Sequence, residues 1–357
     1  MMTKLILEEN WYMEILFYMF DIKEKMINMK YFLKVFSIAF LCFSLMIGAG
    51  LYTYFKVFDP TAEADDGRDE HPMKNLSEEE IEKLPPFEKA IANSDRVNVL
   101  LIGVEKEGRS DTLVFASFDP NTKSVDMISV PRDTYYHDEG YNSADHRKLN
   151  AVYIRSLKEG HNVAAEKTMD AIQEILGVPI DHYATISYDG VENIVDSLGG
   201  VEMDVPQNMK YEYFHSDGRK EMRVLKKGTQ VLDGSESVGF LRFRKGYSNG
   251  DIGRVQAQQK FIKAALKKAL GFNLPKVALT AAKEVKTDMS VFQITSNATK
   301  AIGMNMEDVN THVLPGEAES MTFDGWTLSY FSHDSEKTRE LMEEIYGVSE
   351  LEENKNE

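Results

Sequence analysis

Cysteine is almost absent from this chain, since Cys42 is the only one among 357 residues. A single cysteine excludes an intramolecular disulfide framework and any metal site built on several thiolates. Positive charge is also scarce, because 41 lysines and arginines face 58 aspartates and glutamates and leave a net charge of -17. A protein that binds the nucleic-acid backbone is expected to be basic, so the composition argues against nucleic acid as a partner.

Several common catalytic signatures are missing too. The eight histidines are scattered and show no HExxH spacing, so a zinc hydrolase is unsupported. The sequence has neither a P-loop nor the GxSxG elbow of the α/β-hydrolases. The apolar share of 43% is nevertheless ample for a core, which excludes wholesale disorder. A chain of this length can form one large domain or two small ones.

Val35–Phe55 is an apolar run without a charged residue, long enough to cross a bilayer. Lysines precede it and acidic residues follow it. This bias predicts a single-pass signal anchor in the cytoplasmic membrane, with the N-terminus in the cytoplasm and the C-terminal domain outside. A cleaved signal peptide is the alternative, although the run is longer than a usual h-region. Residues 1–34 form the predicted cytoplasmic segment, and Met26 or Met29 is a candidate start.

The remainder of the chain predicts one folded domain behind a tether. Residues 56–94 are polar, acidic and contain several prolines, which predicts a tether with a short helix from Ser77. From 95 to 347, strand-like runs alternate with helical ones. This alternation predicts an α/β fold, an α/β/α sandwich with a central mixed sheet. Residues 348–357 predict a frayed acidic tail.

Local patterns place the elements of this domain. Residues 97–104 form a buried-strand run, and 111–119 and 124–130 form two strands joined by a PNTK hairpin turn. Further strands are predicted at 182–187 and 201–205. Helices are predicted at 150–159, 164–176, 188–198, 251–270, 274–285, 295–304 and 337–346.

The stretch Val238–Gln259 carries the densest set of candidate ligands, and its first part reads as a strand. Leu241 and Phe243 would point to one face of that strand. Arg242 and Arg244 would point to the other face, about 7 Å apart at the usual rise per residue. Two guanidinium groups on one face suggest an anion site. An exposed strand with surface ion pairs is the plainer alternative.

A helix is predicted to open at Asp251, directly after this strand and its loop. Asp251, Arg254 and Gln258 fall on one face of the helix. Guanidinium forks match phosphate geometry, and a helix N-terminus adds to the attraction for anions. The strand end and the helix start therefore predict a site for a phosphorylated ligand.

Two further motifs place arginine beside aspartate at strand ends. GRSDT (108–112) holds Arg109 and Asp111 at a strand entrance. VPRDTYY (130–136) holds Arg132 and Asp133 where a strand exits. Such neighbours often form only a turn stabilised by its own ion pair. Lys148, just before a predicted helix, reads as a surface lysine when taken alone.

The order of these motifs resembles the LytR-CpsA-Psr family of membrane-anchored cell-wall proteins. The sequence VNVLLIGV, then GRSDT, ISVPRDTYY, KLNAVY, LGGVEMDVP and FLRFRKGYSNGDIGRVQAQQ carries the resemblance over roughly residues 95–270. It implies an extracytoplasmic phosphotransferase that takes an anionic glycopolymer, of teichoic-acid or capsule type, from an undecaprenyl-pyrophosphate carrier. The polymer would be transferred to a hydroxyl of peptidoglycan, and the lipid phosphate would be released.

The resemblance also implies roles for individual residues. Asp111 would bind a magnesium ion, Arg132 would lie closest to the reacting phosphoryl group beside Asp133, and Asp251 would position Arg254. The pyrophosphate would be held by Arg109, Arg132, Arg242, Arg244 and Arg254, with Lys148 and Gln258 beside them. Phosphoryl transfer suits such residues, since it needs positioning and charge cancellation more than a protein nucleophile.

One position departs from the family pattern. The family usually carries an aspartate shortly after the first strand and a longer loop before RSDT, whereas here GVEKEGRSD places Glu105 there. Glutamate can ligate Mg²⁺, but the shortened loop changes its reach. Two other functions stay open: a non-catalytic cell-wall binding or regulatory protein of the attenuator type, and a hydrolase that releases lipid phosphate into water.

Overall fold

The computed structural model describes residues 76–214, 219–243, 246–247, 251–270 and 281–348. All of them lie in one compact unit, Gly67–Glu357. Among the residues described, no helix combines the length and the hydropathy needed to span a bilayer. The predicted anchor, Val35–Phe55, and the predicted cytoplasmic segment lie outside the described residues.

Strands and helices alternate through the first part of this unit and are numbered here in chain order. The strands are β1 (Val97–Val104), β2 (Ser110–Asp119), β3 (Ser124–Val130), β4 (His182–Ser187), β5 (Val201–Val205), β6 (Met209–Phe214), β7 (Lys220–Leu225), β8 (Gly228–Leu232), β9 (Val285–Thr287), β10 (Val309–Val313), β11 (Gly316–Phe323) and β12 (Trp326–His333). The helices are α1 (Glu78–Glu82), α2 (Pro86–Ala92), α3 (Asn150–Ser156), α4 (His161–Leu176), α5 (Tyr188–Ser197), α6 (Gly234–Arg242), α7 (Asp251–Leu270), α8 (Val291–Lys300) and α9 (Ser335–Ile345).

The central sheet has six strands in the order β10-β3-β2-β1-β4-β9. Strands β1 and β2 pair antiparallel, as do β2 and β3, whereas β4 runs parallel to β1 and β10 runs parallel to β3. The sheet is therefore mixed, and the predicted hairpin of β2 and β3 is confirmed.

Side chains alternate across this sheet and bury both of its faces. On one face, Leu113 and Phe115 of β2 join the main core with residues of α2, α3, α4 and α9. On the other face, Val114 packs in a cluster that Ile262 and Leu266 of α7 cover. Helices on both sides of the sheet give the predicted α/β/α sandwich.

Smaller sheets flank this sandwich. Strands β5 and β8 pair with each other, as do β6 and β7, and their apolar side chains form a separate core with α6 and α7. The hairpin of β11 and β12 forms a third small sheet. The prediction of a strand at 201–205 is therefore correct, but that strand does not join the central sheet.

Some predicted boundaries need correction. The tether predicted for 56–94 is too long, because Phe87, Ala90 and Ile91 of α2 are buried in the main core. The folded unit likewise reaches past residue 347, since Val348 belongs to the same core. The helix predicted for 274–285 cannot include Val285, which starts β9, and residues 271–280 lie outside the described ones.

Candidate active site

Four polar residues meet at one edge of the central sheet. Strands β1, β3 and β4 run in the same direction, and β2 runs against them. Glu105, Arg132 and Tyr188 therefore follow the carboxyl ends of β1, β3 and β4 on the same side of the sheet. Asp111 lies at the start of β2, which reaches that same side. Ligands of open α/β sheets bind at the carboxyl ends of the strands. The topology thus gathers residues that lie up to 83 positions apart (188 − 105).

Asp111 lies at the centre of this site and is only 4% exposed. Its Oδ1 accepts a close hydrogen bond from Nη1 of Arg132 and lies 3.8 Å from Nη1 of Arg254. The hydroxyl of Tyr188 donates to its Oδ2 at 3.0 Å. The loop after β3 and the starts of helices α5 and α7 thus converge on one carboxylate. The predicted convergence of Asp111, Arg132 and Arg254 is present in the structure.

Arg254 belongs to the second turn of α7 and is 2% exposed. A guanidinium stays charged in proteins, so its burial costs free energy unless anionic groups lie close to it. Asp111 is one such group, and it is shared with Arg132. Two buried or half-buried guanidiniums around one carboxylate suit the binding of a further anion, with forks matched to phosphate oxygens.

A second carboxylate, Asp133, ties the neighbouring cations together. Lys148 donates from Nζ to its Oδ1 at 3.1 Å, and Nε of Arg132 lies 3.7 Å from its Oδ2. Asn150 donates from Nδ2 to the same Oδ1 at 3.5 Å, and its backbone amide donates to the carbonyl of Arg132 at 3.0 Å. Asp133 therefore orients Arg132 and Lys148, and Lys148 is part of the site rather than an isolated surface lysine.

Arg109 joins the same network from the other side. Its Nη1 donates to Oδ1 of Asn150 at 3.3 Å, and its Nη2 donates to Oδ2 of Asp145 at 3.4 Å. The side chain of Arg109 remains 37% exposed, so water screens this ion pair and the guanidinium can turn toward a ligand.

The sequence pattern had predicted a strand at Arg242, but Arg242 lies on a helix. Residues Gly234–Arg242 form helix α6, so the alternation of Leu241 and Phe243 against two arginines does not exist. The helix starts with a capping box in which Asp233 and Glu236 bond reciprocally to backbone amides. This local capping decides against the extended conformation. Arg242 is exposed in the last turn, with its guanidinium carbon 5.1 Å from the ring centroid of Tyr188.

Three other predicted site residues have different outcomes. Gln258 is buried and donates from Nε2 to the carbonyl of Leu241 at 3.4 Å, so it links α7 to α6. Asp251 opens α7 as predicted, but its side chain lies outside the described residues. Arg244 also lies outside them.

Glu105 is brought to the site by a tight turn. The amide of Glu105 donates to the carbonyl of Arg109 at 3.0 Å, and the amide of Gly108 donates to the carbonyl of Glu105 at 2.9 Å. Gly108 has φ +87°, and a Cβ on it would lie 2.8 Å from Cδ2 of Leu157. Glycine at this position permits this tight turn.

Tyr188 reports on the electrostatics of the site. Burial raises the pKa of its phenol, and the carboxylates of Asp111 and Glu105 raise that pKa further. Tyr188 is therefore protonated at neutral pH and acts as a hydrogen-bond donor to Asp111. The hydroxyl of Tyr188 bonds Asp111, and Tyr188 and Glu105 line one cavity. Within the described ranges, no group of three or more His, Cys, Asp or Glu side chains could hold a metal ion.

A cavity of about 880 Å³ opens beside this network. Glu105, Tyr188 and Arg242 line it next to the sheet edge, and Tyr211 and Tyr213 of β6 line it from the small sheet. Its wall combines aromatic rings with charged groups, as in sites that bind polar ligands of substantial size. The hydroxyl of Tyr188 connects the cavity wall to Asp111.

Sequence patterns missed two residues of this site, Asn150 and Tyr188. Asn150 stands within the KLNAVY motif, whose lysine alone was singled out. Tyr188 follows Ser187, which caps α5 by accepting a hydrogen bond from the amide of Gly190. A serine cap directly after a strand predicts a helix start at the sheet edge, and that signal could have pointed to Tyr188.

Known proteins resemble this chain in sequence. Residues 51–346 match the LytR_cpsA_psr family. The chain is similar to the polyisoprenyl-teichoic acid–peptidoglycan teichoic acid transferase TagV of Bacillus subtilis strain 168, with 26% identity over 338 residues, 88% of this chain and 78% of that protein. It is also similar to the transferase of the same kind named TagU from Oceanobacillus iheyensis, with 28% identity over 265 residues, 71% of this chain and 76% of that protein.

The fold agrees as well. The crystal structure of B. subtilis TagV matches with a TM-score of 0.57 and 25% identity, over 71% of this chain and 98% of that one. The family match spans the central sheet, the Asp111 site and the closing helix α9. The chain is therefore a member of the LytR_cpsA_psr family.

Proposed function

We propose that this protein transfers an anionic glycopolymer from a polyprenyl-pyrophosphate carrier to peptidoglycan. Two similar proteins are named as transferases of teichoic acid to peptidoglycan, which supports the reaction class and both substrates. The observation that carries the proposal is the convergence of Arg132 and Arg254 on Asp111 beside the cavity. Such a set of guanidiniums suits a diphosphate and the extra charge that develops during phosphoryl transfer.

The reaction exchanges one phosphorus–oxygen bond for another. A hydroxyl oxygen of peptidoglycan attacks the phosphorus that carries the glycopolymer, the bond from that phosphorus to the bridging oxygen breaks, and the lipid phosphate leaves. The hydroxyl proton is released as the new bond forms. Because this transition state is loose, catalysis consists largely of alignment and of charge neutralisation on the non-bridging oxygens.

Each residue of the site has a part in this scheme. Arg132 and Arg254 neutralise the reacting phosphoryl group, and Asp133 orients Arg132 and Lys148. Arg109 and Arg242, both accessible to solvent, take the outer phosphate oxygens. Gln258 holds α7 against α6 and thereby keeps Arg254 in place. Arg244 and Asp251 remain proposed members of the site on the strength of the family pattern.

We also propose that the site takes Mg²⁺. Asp111 and Glu105 offer hard oxygen ligands at the sheet edge, where Tyr188 bonds Asp111 and lines the same cavity as Glu105. One or two carboxylates completed by substrate phosphates are a usual donor set for Mg²⁺, so these residues fit the ion. When bound, the ion would neutralise charge on the diphosphate.

Val35–Phe55 is proposed as the membrane anchor that keeps the domain outside the cell, next to its lipid-linked substrate.

One experiment separates this proposal from its two rivals. The full chain in lipid nanodiscs would be incubated with a lipid-pyrophosphate-linked glycan and Mg²⁺, with and without peptidoglycan strands. We expect polymer linked to the strands and lipid phosphate released. Release of free sugar phosphate without an acceptor would identify a hydrolase, and no turnover at all would favour a binding or regulatory protein. The names of the relatives favour the transferase.

A further inference from the structure

The proposed transfer releases a proton from the acceptor hydroxyl, and a basic side chain beside the reacting phosphorus can take it up. A general base of this kind typically contributes about 100-fold to 10,000-fold to a rate. In protein kinases, where a hydroxyl also attacks phosphorus, an aspartate of the catalytic loop accepts the proton. Such a base must keep a lone pair for the hydroxyl and lie within hydrogen-bond reach of it. Asp111 and Asp133 both contact Arg132 and are candidates.

Asp111 does not meet these conditions. Its side chain is buried, and both of its oxygens already accept hydrogen bonds. Arg132 donates to Oδ1, and the hydroxyl of Tyr188 donates to Oδ2 at 3.0 Å. A substrate hydroxyl could reach this carboxylate only by displacing one of these donors. Asp111 therefore suits the binding of cations rather than the transfer of a proton.

Asp133 has a more open environment, since its side chain is 30% exposed. Its Oδ1 accepts hydrogen bonds from Lys148 at 3.1 Å and from Asn150 at 3.5 Å. Its Oδ2 lies 3.7 Å from Nε of Arg132, which is beyond hydrogen-bond distance. Within the part of the chain that the structure describes, Oδ2 accepts no hydrogen bond. One oxygen thus fixes the carboxylate, and the other keeps its lone pairs for a hydroxyl.

Arg132 lies between these two carboxylates and contacts them through different nitrogens. Its Nη1 bonds Asp111, whereas its Nε faces Asp133. Because Arg132 is proposed to neutralise the reacting phosphoryl group, a hydroxyl bonded to Oδ2 of Asp133 would lie beside that group. The residues that line the cavity include Tyr188, the donor to Asp111, but not Asp133. This separation suits a reaction in which the attacking and leaving oxygens lie in line on opposite sides of phosphorus.

Backbone hydrogen bonds hold Asp133 in place from two sides. The amide of Phe331 in β12 donates to the carbonyl of Asp133 at 2.9 Å, and the amide of Tyr135 donates to the carbonyl of Phe331 at 2.9 Å. On the other side, the amide of Asn150 donates to the carbonyl of Arg132 at 3.0 Å. A base fixed in this way needs little reorganisation when the substrates react.

We infer that Asp133 is the general base of the transfer. This inference rests on the proposed function and names the group that accepts the proton. The acceptor hydroxyl donates a hydrogen bond to Oδ2 of Asp133. Its oxygen then forms the new bond to phosphorus, the bridging oxygen leaves with the lipid phosphate, and the hydroxyl proton passes to Oδ2. The proton is afterwards lost to water, which restores the carboxylate, while Lys148 and Asn150 hold Oδ1 throughout.

The kinetics of Asp133→Asn in the full chain in nanodiscs test this role. The amide keeps an oxygen that can accept a hydrogen bond from Lys148, but it cannot take up a proton. For transfer to glycan strands, kcat should fall about a hundredfold, whereas KM for the lipid-linked donor should stay within about threefold. Glu139→Gln, which is also exposed in the loop after β3, is the matched control and should keep wild-type constants. A wild-type kcat in Asp133→Asn would overturn the inference.

Small additives separate proton uptake from the orientation of Arg132 and Lys148. Asp133→Ala removes the carboxylate, and its turnover is measured with added formate or with added formamide. Both molecules can accept a hydrogen bond from Lys148, but only formate can also take up a proton. Formate should raise kcat of Asp133→Ala about tenfold, and formamide should leave it unchanged. Equal kcat with the two additives would overturn the inference.

The wild-type protein in the same assay reports on the proposed function separately. Transfer by the wild type, with an unimpaired Asp133→Asn, would contradict the base and leave the proposed function standing. No transfer by the wild type would contradict the proposed function, and the base with it. Thermal melting should show that both variants of Asp133 are folded.

Discussion

Two arginine–aspartate pairs lie at opposite ends of the strands in the central sheet, and they have different surroundings. Arg96 donates from Nη1 to Oδ2 of Asp126 at 2.9 Å, just before β1 and near the start of β3. Asp126 also accepts a hydrogen bond of 3.0 Å from Asn310 on the adjacent strand β10. Arg132 and Asp111 form the corresponding pair at the other edge.

The difference lies in what surrounds each pair. Asp126 is contacted by Arg96, directly before β1, and by Asn310 of β10, which backbone hydrogen bonds already join to β3. The partners of Asp111 come from the loop after β3 and from helices α5 and α7, and Tyr188 also borders the cavity. The first pair therefore holds the sheet together, whereas the second can exchange a partner for a bound anion. An arginine–aspartate pair can therefore serve either stability or ligand binding in this fold. The elements that supply the other partners of the aspartate distinguish the two roles.

The largest effect is expected at the Asp111 edge. Arg132→Ala should lower turnover about a thousandfold or more, because it removes charge neutralisation from the transition state. The rate of lipid phosphate release measures this loss, and circular dichroism should show an unchanged fold. Near-normal turnover in Arg132→Ala would rule out the site described here.

Arg254 should behave in the same way, with a complication from its burial. Arg254→Ala leaves a void as well as an isolated carboxylate, so its loss of turnover, also about a thousandfold, needs a companion. Arg254→Lys keeps the charge and most of the volume but lacks the fork that binds two phosphate oxygens. We expect this variant to melt close to the wild type and still turn over far more slowly. Full activity of Arg254→Lys would contradict a bidentate role.

The Arg96–Asp126 edge should show the opposite pattern. Asp126→Asn leaves Arg96 without its carboxylate in a buried setting, which should lower the free energy of unfolding by about 3 kcal/mol. Turnover at 25 °C should stay within about twofold of the wild type, because neither Arg96 nor Asp126 lines the cavity. Urea denaturation and initial rates measure the two quantities. A large loss of turnover in folded Asp126→Asn would erase the contrast between the edges.

The pH dependence of stability sharpens the prediction for Asp126. Burial would raise the pKa of Asp126, but His312, Asn310 and Arg96 together hold it below the usual 3.8. A lowered folded-state pKa gives stability that is complete above the unfolded value and is lost as the pH falls through the folded value. The wild type should therefore lose this contribution below about pH 4, whereas Asp126→Asn should show a flatter dependence in denaturation at pH 3 to 6.

A smaller effect is expected at the proposed metal ligand. Glu105→Gln should raise the Mg²⁺ concentration for half-maximal turnover about tenfold, since it weakens one oxygen ligand. Calorimetric titration with Mg²⁺ in the presence of the lipid substrate gives an independent measure. Glu107→Gln, on the same turn and exposed, is the matched control. Equal Mg²⁺ dependence in both variants would remove Glu105 from the site.

The smallest effect belongs to Tyr188. Tyr188→Phe deletes the hydroxyl that donates to Asp111 and should lower kcat/KM about fivefold, the value of one hydrogen bond of about 1 kcal/mol. Tyr153→Phe removes another hydroxyl at the cavity, which bonds His161 at 3.1 Å instead, and should leave the rate unchanged. A larger loss in Tyr153→Phe would shift the catalytic centre away from Asp111.

The sequence was a good guide wherever apolar periodicity controls the structure. Strands 97–104 and 182–187 and the hairpin between 111 and 130 were predicted from alternation and turn chemistry, and the sheet contains them. Arg109, Asp111, Arg132 and Lys148 follow from motifs at the ends of these strands, since sheet topology brings such ends together.

The failures have local causes. The strand predicted through Leu241 and Phe243 ignored the Asp233–Glu236 capping box, which starts a helix there. A similar box, Ser290 with Gln293, starts α8 four residues before the predicted 295. Tyr188 and Asn150 were missed because an uncharged side chain acquires its role only from tertiary placement, which no spacing within one element reveals.

The pairing of β10 with β3 has a consequence for how the molecule assembles. Asn310 bonds Asp126 across a separation of 184 residues, so the sheet cannot gain this strand until the C-terminal part of the chain has been made. Until then β3 is an open edge, and exposed edges recruit other chains. Such distant contacts also slow folding. A chain cut before Val309 should therefore be prone to aggregation during synthesis even though its catalytic residues are all present.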